Sequence, residues 1–129
     1  MLLKLALIGL GGAVGSILRY LVSGWTQFLS GGGVFPYGTL VVNTSGCLIA
    51  GFVGTLLTEY WLIREEYRLA ILIGVLGGYT TFSTFGRETL TLFSDKQYVA
   101  ALVNVLLNNA CCLTAILIGH RLAQKWYGL

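Results

Sequence analysis

The residues with chemistry to offer crowd into one stretch, GGYTTFSTFGRE, residues 77–88. Thr80, Thr81, Ser83 and Thr84 supply hydroxyls that both donate and accept hydrogen bonds. On a helix Phe82 and Phe85 share one face, and Thr81, Thr84 and Glu88 share a neighbouring one. A phenyl ring is positive at its edge, and Asn43, facing the same region from an earlier segment, adds amide donors. Such surroundings suit a small anion, which needs several donors in succession to replace its hydration shell. A cation would be better served by carboxylates, and Glu88 is the only acid inside the apolar segments away from their ends. Taken singly, an aromatic pair at i, i+3 is most often packing, and hydroxyls often bond back to their own helix. Their combination beside Gly77 and Gly78 is what points to a path for a polar species.

These residues must be positioned inside a membrane. Of 129 residues 56% are hydrophobic and 10% charged, with 18 glycines and one proline, far from the make-up of a soluble domain. A spanning helix needs ~20 mostly apolar residues, and four such windows are predicted, at about 3–28, 37–58, 68–93 and 98–120. The expectation is one all-α transmembrane domain over 1–129. A cleaved-leader reading of MLLKLALIGLGGAVGS fits poorly, because the apolar pattern continues past Arg19 through YLVSGW. The third span begins with ordinary apolar residues, LAILIGVL, and meets the double glycine near the depth of the bilayer centre. Glycine is about 1 kcal/mol worse than alanine in a helix interior, so helix 3 is expected to break there, near its centre. Unwound backbone at that depth survives only when buried in protein or lining a cavity, and it exposes carbonyls to cations and amides to anions.

The other spans supply partners. In helix 1 Gly11 and Gly15, and Gly12 and Ser16, stand four apart and permit close helix approach. Arg19 lies deep in the same span, where a charge must reach water or a partner. Pro36 is placed to begin helix 2, on which Thr39, Asn43 and Gly46 form a small polar face. Tyr60, Trp61, Trp126 and Tyr127 suit the headgroup level, and His120, near the expected end of helix 4, reads as a solvated interfacial histidine. Cys47, Cys111 and Cys112 show neither disulfide nor zinc spacing and read as small packing residues. A net charge of +3, scattered along the chain, gives no nucleic-acid surface. No nucleophile and base pair, metal-ligand cluster or phosphate loop is visible, so no enzyme is expected.

Three segments, GGAVGSILRY (11–20), PYGTLVVNTSG (36–46) and GVLGGYTTFSTFGRE (74–88), resemble the signature segments of the Fluc (CrcB) fluoride-channel family, and the four-span layout matches over the whole chain. The resemblance implies an antiparallel, dual-topology dimer with two fluoride pores at the interface, passive exit of fluoride from the cytoplasm, and residence in the cell's inner (plasma) membrane. It implies a structural Na+ at the dimer centre, held by backbone carbonyls of Gly77 and Thr80. It places fluoride-facing rings at Phe82 and Phe85, a pore asparagine at Asn43, the helix-1 arginine at Arg19, and polar-track residues at Thr39 and Glu88; Ser83 and Thr84 of the hydroxyl run are expected on the same pathway. On helix 4 the track positions often filled by tyrosine and serine hold Asn104, Asn108 and Cys112 here, still an i, i+4, i+8 stripe.

Lys4, Arg64, Arg68, Arg121 and Lys125 gather on the side of the termini, against Lys96 on the other, or against three residues if Arg19 and Arg87 are counted there. That bias favours cytoplasmic termini and leaves two partners open, a second copy inserted the other way or an oppositely oriented homologue. Among rival readings, a small proton-coupled multidrug exporter needs a central carboxylate that helix 1 lacks. A non-transporting scaffold subunit would have no use for the glycines and the hydroxyl run.

Overall fold

The computed structural model describes residues 1–128, which are helical apart from short connections and contain no strand. Four segments are long and apolar enough to cross a membrane: Leu2–Leu29, Tyr37–Tyr60, Glu65–Ser94 and Tyr98–Trp126. The first, α1, spans about 42 Å at 1.5 Å per residue, more than the ~30 Å hydrocarbon core requires. The second is α2 (Tyr37–Thr55), finished by a π-helical turn at Leu56–Tyr60. The third consists of α3, which begins at Glu65–Leu69, is π-helical over Ala70–Leu76 and ends at Gly77–Tyr79, followed by α4 (Phe82–Ser94). The last is α5 (Tyr98–Trp126), which runs nearly two turns beyond residue 120.

The helices associate as two close parallel pairs, α1 with α3 and α2 with α5, because glycine removes the side chain at each contact. A Cβ on Gly15 would lie 2.1 Å from the Val75 carbonyl oxygen, and one on Gly78 would lie 2.6 Å from that of Gly12. In the other pair a Cβ on Gly51 would meet the Ile116 carbonyl oxygen at 2.1 Å, and one on Gly119 the Leu48 carbonyl oxygen at 2.2 Å. Lipid tails offer no hydrophobic drive to bring helices together, so such close backbone packing and interhelical hydrogen bonds must hold the bundle. Parallel packing also keeps α2 and α5 in step. Asn43 faces Asn108 and Thr55 faces His120, both at a separation of 65 residues. Gly51 against Ile116 has the same offset.

Two expectations change here. Gly77 and Gly78 do not unwind: Gly77 has helical dihedrals (φ −66°, ψ −35°), and the helix continues through Tyr79. The backbone turns extended three residues later, at Thr80 (φ −80°, ψ 155°) and Thr81 (φ −152°, ψ 118°). Gly78 serves close approach to α1, and neighbouring helix packing outweighs the weak helix propensity of glycine. His120 is less solvated than expected. It is half-buried, with Nδ1 2.8 Å from the Thr55 hydroxyl, which itself donates to the Gly51 carbonyl at 2.6 Å. The hydroxyl's one proton being committed, His120 Nδ1 must be the donor.

Lys4, the 61–65 connection and Tyr127 lie at one end of the bundle. Lys4 pairs with Glu65 at 2.5 Å, Trp61 donates its indole N–H to the Tyr127 hydroxyl, and Tyr60 stacks on Tyr127 with ring centroids 4.2 Å apart. The charge asymmetry read from the sequence therefore belongs to one face of the molecule.

Candidate functional site

The extended pair Thr80–Thr81 exists because α2 captures it. The Thr81 amide donates to Asn43 Oδ1 at 2.8 Å, and Asn43 Nδ2 donates back to the Thr81 carbonyl at 3.0 Å. A side-chain amide thus pairs with both backbone groups of one residue, as a strand neighbour would. The chain then re-enters a helix under a side-chain cap, the Thr84 amide donating to Thr81 Oγ1 at 3.2 Å. The Thr81 hydroxyl donates onward to Thr84 Oγ1 at 3.1 Å and lies 3.3 Å from Ser83 Oγ.

Asn43 also ties α2 to α5. Its Nδ2 donates to Asn108 Oδ1 at 3.2 Å, Asn108 Nδ2 donates to Asn104 Oδ1 at 2.9 Å, and Asn104 Nδ2 donates to Thr89 Oγ1 at 2.9 Å. Thr89 closes the chain by donating to the Phe85 carbonyl at 2.8 Å. Every amide in this series is oriented by the next, since the Thr81 N–H can only donate and the Phe85 carbonyl can only accept. The result is a one-way relay through three helices, well suited to a low-dielectric interior where hydrogen bonds reinforce each other.

Two cavities meet at Thr81. One, of about 230 Å³, is lined by Asn43, Thr80, Thr81, Phe82, Phe85 and Asn108, with Cys47 and Cys112 also in its wall. The other, of about 340 Å³, is lined by Ser16, Arg19, Ser23, Thr39, Thr81 and Thr84. The two phenylalanine rings stand 5.2 Å apart at 55°, but they differ in setting: Phe85 is 6% exposed and Phe82 78%. Phe82 therefore projects from the chain, while Phe85 is packed. Below them Thr39 donates to Glu88 Oε1 at 2.7 Å, and Glu88 Oε2 is buried without a protein partner.

The structure thus brings Asn43, Phe82, Phe85, Asn108 and Cys112 to one cavity and Arg19, Thr39 and Thr84 to the other. Ser83 is exposed beside Thr81. Asn104 lines neither cavity: it is 0% exposed and its amide is spent within the relay. Three residues gained a role the sequence did not reveal. Thr81 stood in the hydroxyl run, yet its backbone, rather than its hydroxyl alone, is the anchored part. Thr89 and Cys47 carried no separate signal, except that Cys47 follows Asn43 by one helical turn.

Gly77 and Thr80 can be tested as oxygen donors for a hard cation. In a continuous helix the Gly77 carbonyl would accept from the Thr81 amide and the Thr80 carbonyl from the Thr84 amide. Both donors are diverted, to Asn43 Oδ1 and to Thr81 Oγ1. Two neutral oxygens are thereby released, and Gly77 is exposed on the surface of the bundle. The donor chemistry fits an alkali cation, though one chain supplies only part of a coordination shell.

Fold and site together define an all-helical membrane protein, traversing the bilayer several times, with a hydrogen-bonded polar track in its interior. Residues 6–120 match the family described as CrcB-like protein, Camphor Resistance (CrcB), and the chain belongs to that family. It is 43% identical to the fluoride-specific ion channel FluC of Methylococcus capsulatus, with 95% of this chain aligned to 54% of that protein. The chain therefore spans about half the length of that relative. It is 42% identical to the FluC of Geobacter metallireducens, covering 98% of it, and 39% identical to that of Clostridium perfringens, covering 95%.

Proposed function

We propose that this protein is a fluoride-specific ion channel that lets fluoride leave the cytoplasm passively and so limits its toxicity. The observation that carries the reading is the start of α4 at Thr81 and Phe82, which opens into the cavity shared by Asn43, Phe82, Phe85 and Asn108. The first amides of a helix lack intrahelical acceptors, and the helix dipole is positive at that end. The Thr81 and Thr84 amides are already bonded, so an anion entering there meets the remaining first-turn N–H groups, hydroxyls and a ring edge, in a cavity whose lining holds no carboxylate. Fluoride's small size makes dehydration its chief barrier, and closely spaced donors lower it in steps. Arg19, in the adjoining cavity, adds a positive field at the approach to Thr81.

The working unit in this reading is an antiparallel dimer in the inner membrane, made with a second copy or with an oppositely oriented homologue. The outward-projecting Phe82 supports it, since a ring 78% exposed at the mouth of the cavity is left uncovered by one chain. So do the released carbonyls of Gly77 and Thr80, which in two copies would supply four oxygens to one Na+. That ion would act as a structural pin at the axis.

Efflux from liposomes, followed with a fluoride electrode and compared with chloride, tests the function. Fluoride release far above that of protein-free vesicles, with chloride retained, is expected. Equal release of both ions, or none, would refute it. Labelling a thiol introduced beside Lys96 from one side of sealed vesicles tests the partner: labelling from one side only in the pure protein excludes the dual-topology homodimer.

A further inference from the structure

We propose that Cys47 and Cys112 form a two-thiol site for a soft monovalent cation, of the Ag(I) or Cu(I) class, in the wall of the 230 Å³ cavity. Helix register carries the argument. Asn43 bonds Asn108 across the α2–α5 contact, and Thr55 bonds His120 farther along the same contact, both at an offset of 65 residues. Cys47 and Cys112 have that same offset and lie one turn beyond Asn43 and Asn108, so the parallel helices bring them to one level. Both line the cavity. All three cysteines are free thiols, but Cys111 lies on a different face, against the groove lined by Thr44, Leu48 and Ala115.

Thiolate sulfur selects soft cations over the hard ones that carbonyl oxygens prefer. In binding, each thiol loses its proton to water and each sulfur donates one lone pair, so M⁺ plus two thiols gives a bis-thiolate anion and two protons, with no change of oxidation state. The bound ion would clamp α2 to α5 beside Phe85 and leave a negative centre in the cavity wall. The site itself rests on geometry alone; its consequence, closure of the path to fluoride, rests on the function proposed above.

Titrating the detergent-solubilised full chain with AgNO3 in chloride-free buffer, following sulfur-to-silver charge-transfer absorbance, heat and proton release, tests the site without any flux. One ion per chain and two protons released are expected. Cys47→Ser and Cys112→Ser should each weaken binding by more than the ~10–100-fold that loss of an outer-shell partner costs, and Cys111→Ala should leave it unchanged. Cys47→Ala and Cys112→Ala repeat the measurement should either serine variant aggregate. Unchanged binding on loss of Cys47 or Cys112, or binding that requires Cys111, overturns the site. Fluoride efflux measured in parallel should fall at least tenfold with one equivalent of silver in the wild type and in Cys111→Ala, but not in Cys47→Ser. Silver bound with efflux intact overturns the closure, and silver bound by a protein that never passes fluoride overturns the channel reading while leaving the site standing.

Discussion

Replacing Asn43 with alanine removes the residue that holds Thr80 and Thr81 out of the helix. Three hydrogen bonds go at once: the pair with the Thr81 amide and carbonyl, at 2.8 and 3.0 Å, and the link to Asn108 at 3.2 Å. Thr81 is buried, so its N–H and C=O would each be stranded at about 1–3 kcal/mol, or about 2–6 kcal/mol together. A cheaper outcome is available, since the freed Thr81 amide can return to the Gly77 carbonyl and the helix can close. At ~1.4 kcal/mol per decade, even the lower figure shifts a two-state equilibrium about 30-fold toward the closed form. Rewinding re-occupies a carbonyl assigned here to Na+ and draws the start of α4 away from the cavity. The expected result is a tenfold or greater fall in fluoride efflux, together with slowed hydrogen exchange at the Thr81 amide in a protein still monodisperse in detergent. Asn43→Asp separates the contributions: it keeps the acceptor for the Thr81 amide but sets a carboxylate oxygen against the Thr81 carbonyl, so it too should lower efflux. Wild-type efflux and exchange in Asn43→Ala would refute the clamp.

Gly15→Ala and Gly51→Ala force a Cβ to 2.1 Å from a backbone oxygen, a clash no rotamer relieves, so each should lower stability by about 1–3 kcal/mol in a thermal melt in detergent, while Gly12→Ala, with open space, should not. Phe82→Ile, at an exposed ring, should leave the melting temperature of the isolated chain near wild type yet reduce efflux; Phe85→Ile, in a packed site, should reduce both. Thr39→Val strips Glu88 of its hydroxyl donor at 2.7 Å and leaves both carboxylate oxygens without a protein donor, and the accompanying change in efflux should be reproduced by Glu88→Gln if the pair acts as a unit. If Na+ pins the axis, purified protein should retain about one sodium per two chains by elemental analysis, and exhaustive exchange into a large organic cation should abolish efflux and loosen the dimer.

Much of the arrangement was legible because membrane helices must satisfy their own backbone and show it in long apolar runs. The four spans, the small polar face of Thr39, Asn43 and Gly46, and the hydroxyl run all follow from composition and spacing. The point where the third span leaves the helix did not. Gly77 and Gly78 carry the strongest local signal for unwinding, but that signal is about 1 kcal/mol per residue, and packing against Gly12 overrides it. What opens the backbone at Thr81 is a side chain 38 residues away, a long-range cause that no local pattern records. The same holds for His120, whose neighbour Thr55 lies on another helix, and for Asn104, whose place on a polar stripe did not reveal that its amide is already occupied.

The constant offset between α2 and α5 limits how the gene can change length. A single codon added within α5 between Asn108 and His120 would rotate everything beyond it by about 100°, turning Gly119 off Leu48 and His120 off Thr55 while the asparagines stayed paired. Two insertions, one in each helix at the same height, would restore the match. Length variants of this protein should therefore survive singly only in the connections, such as the Gly31–Gly33 turn, and within these two helices only as compensated pairs.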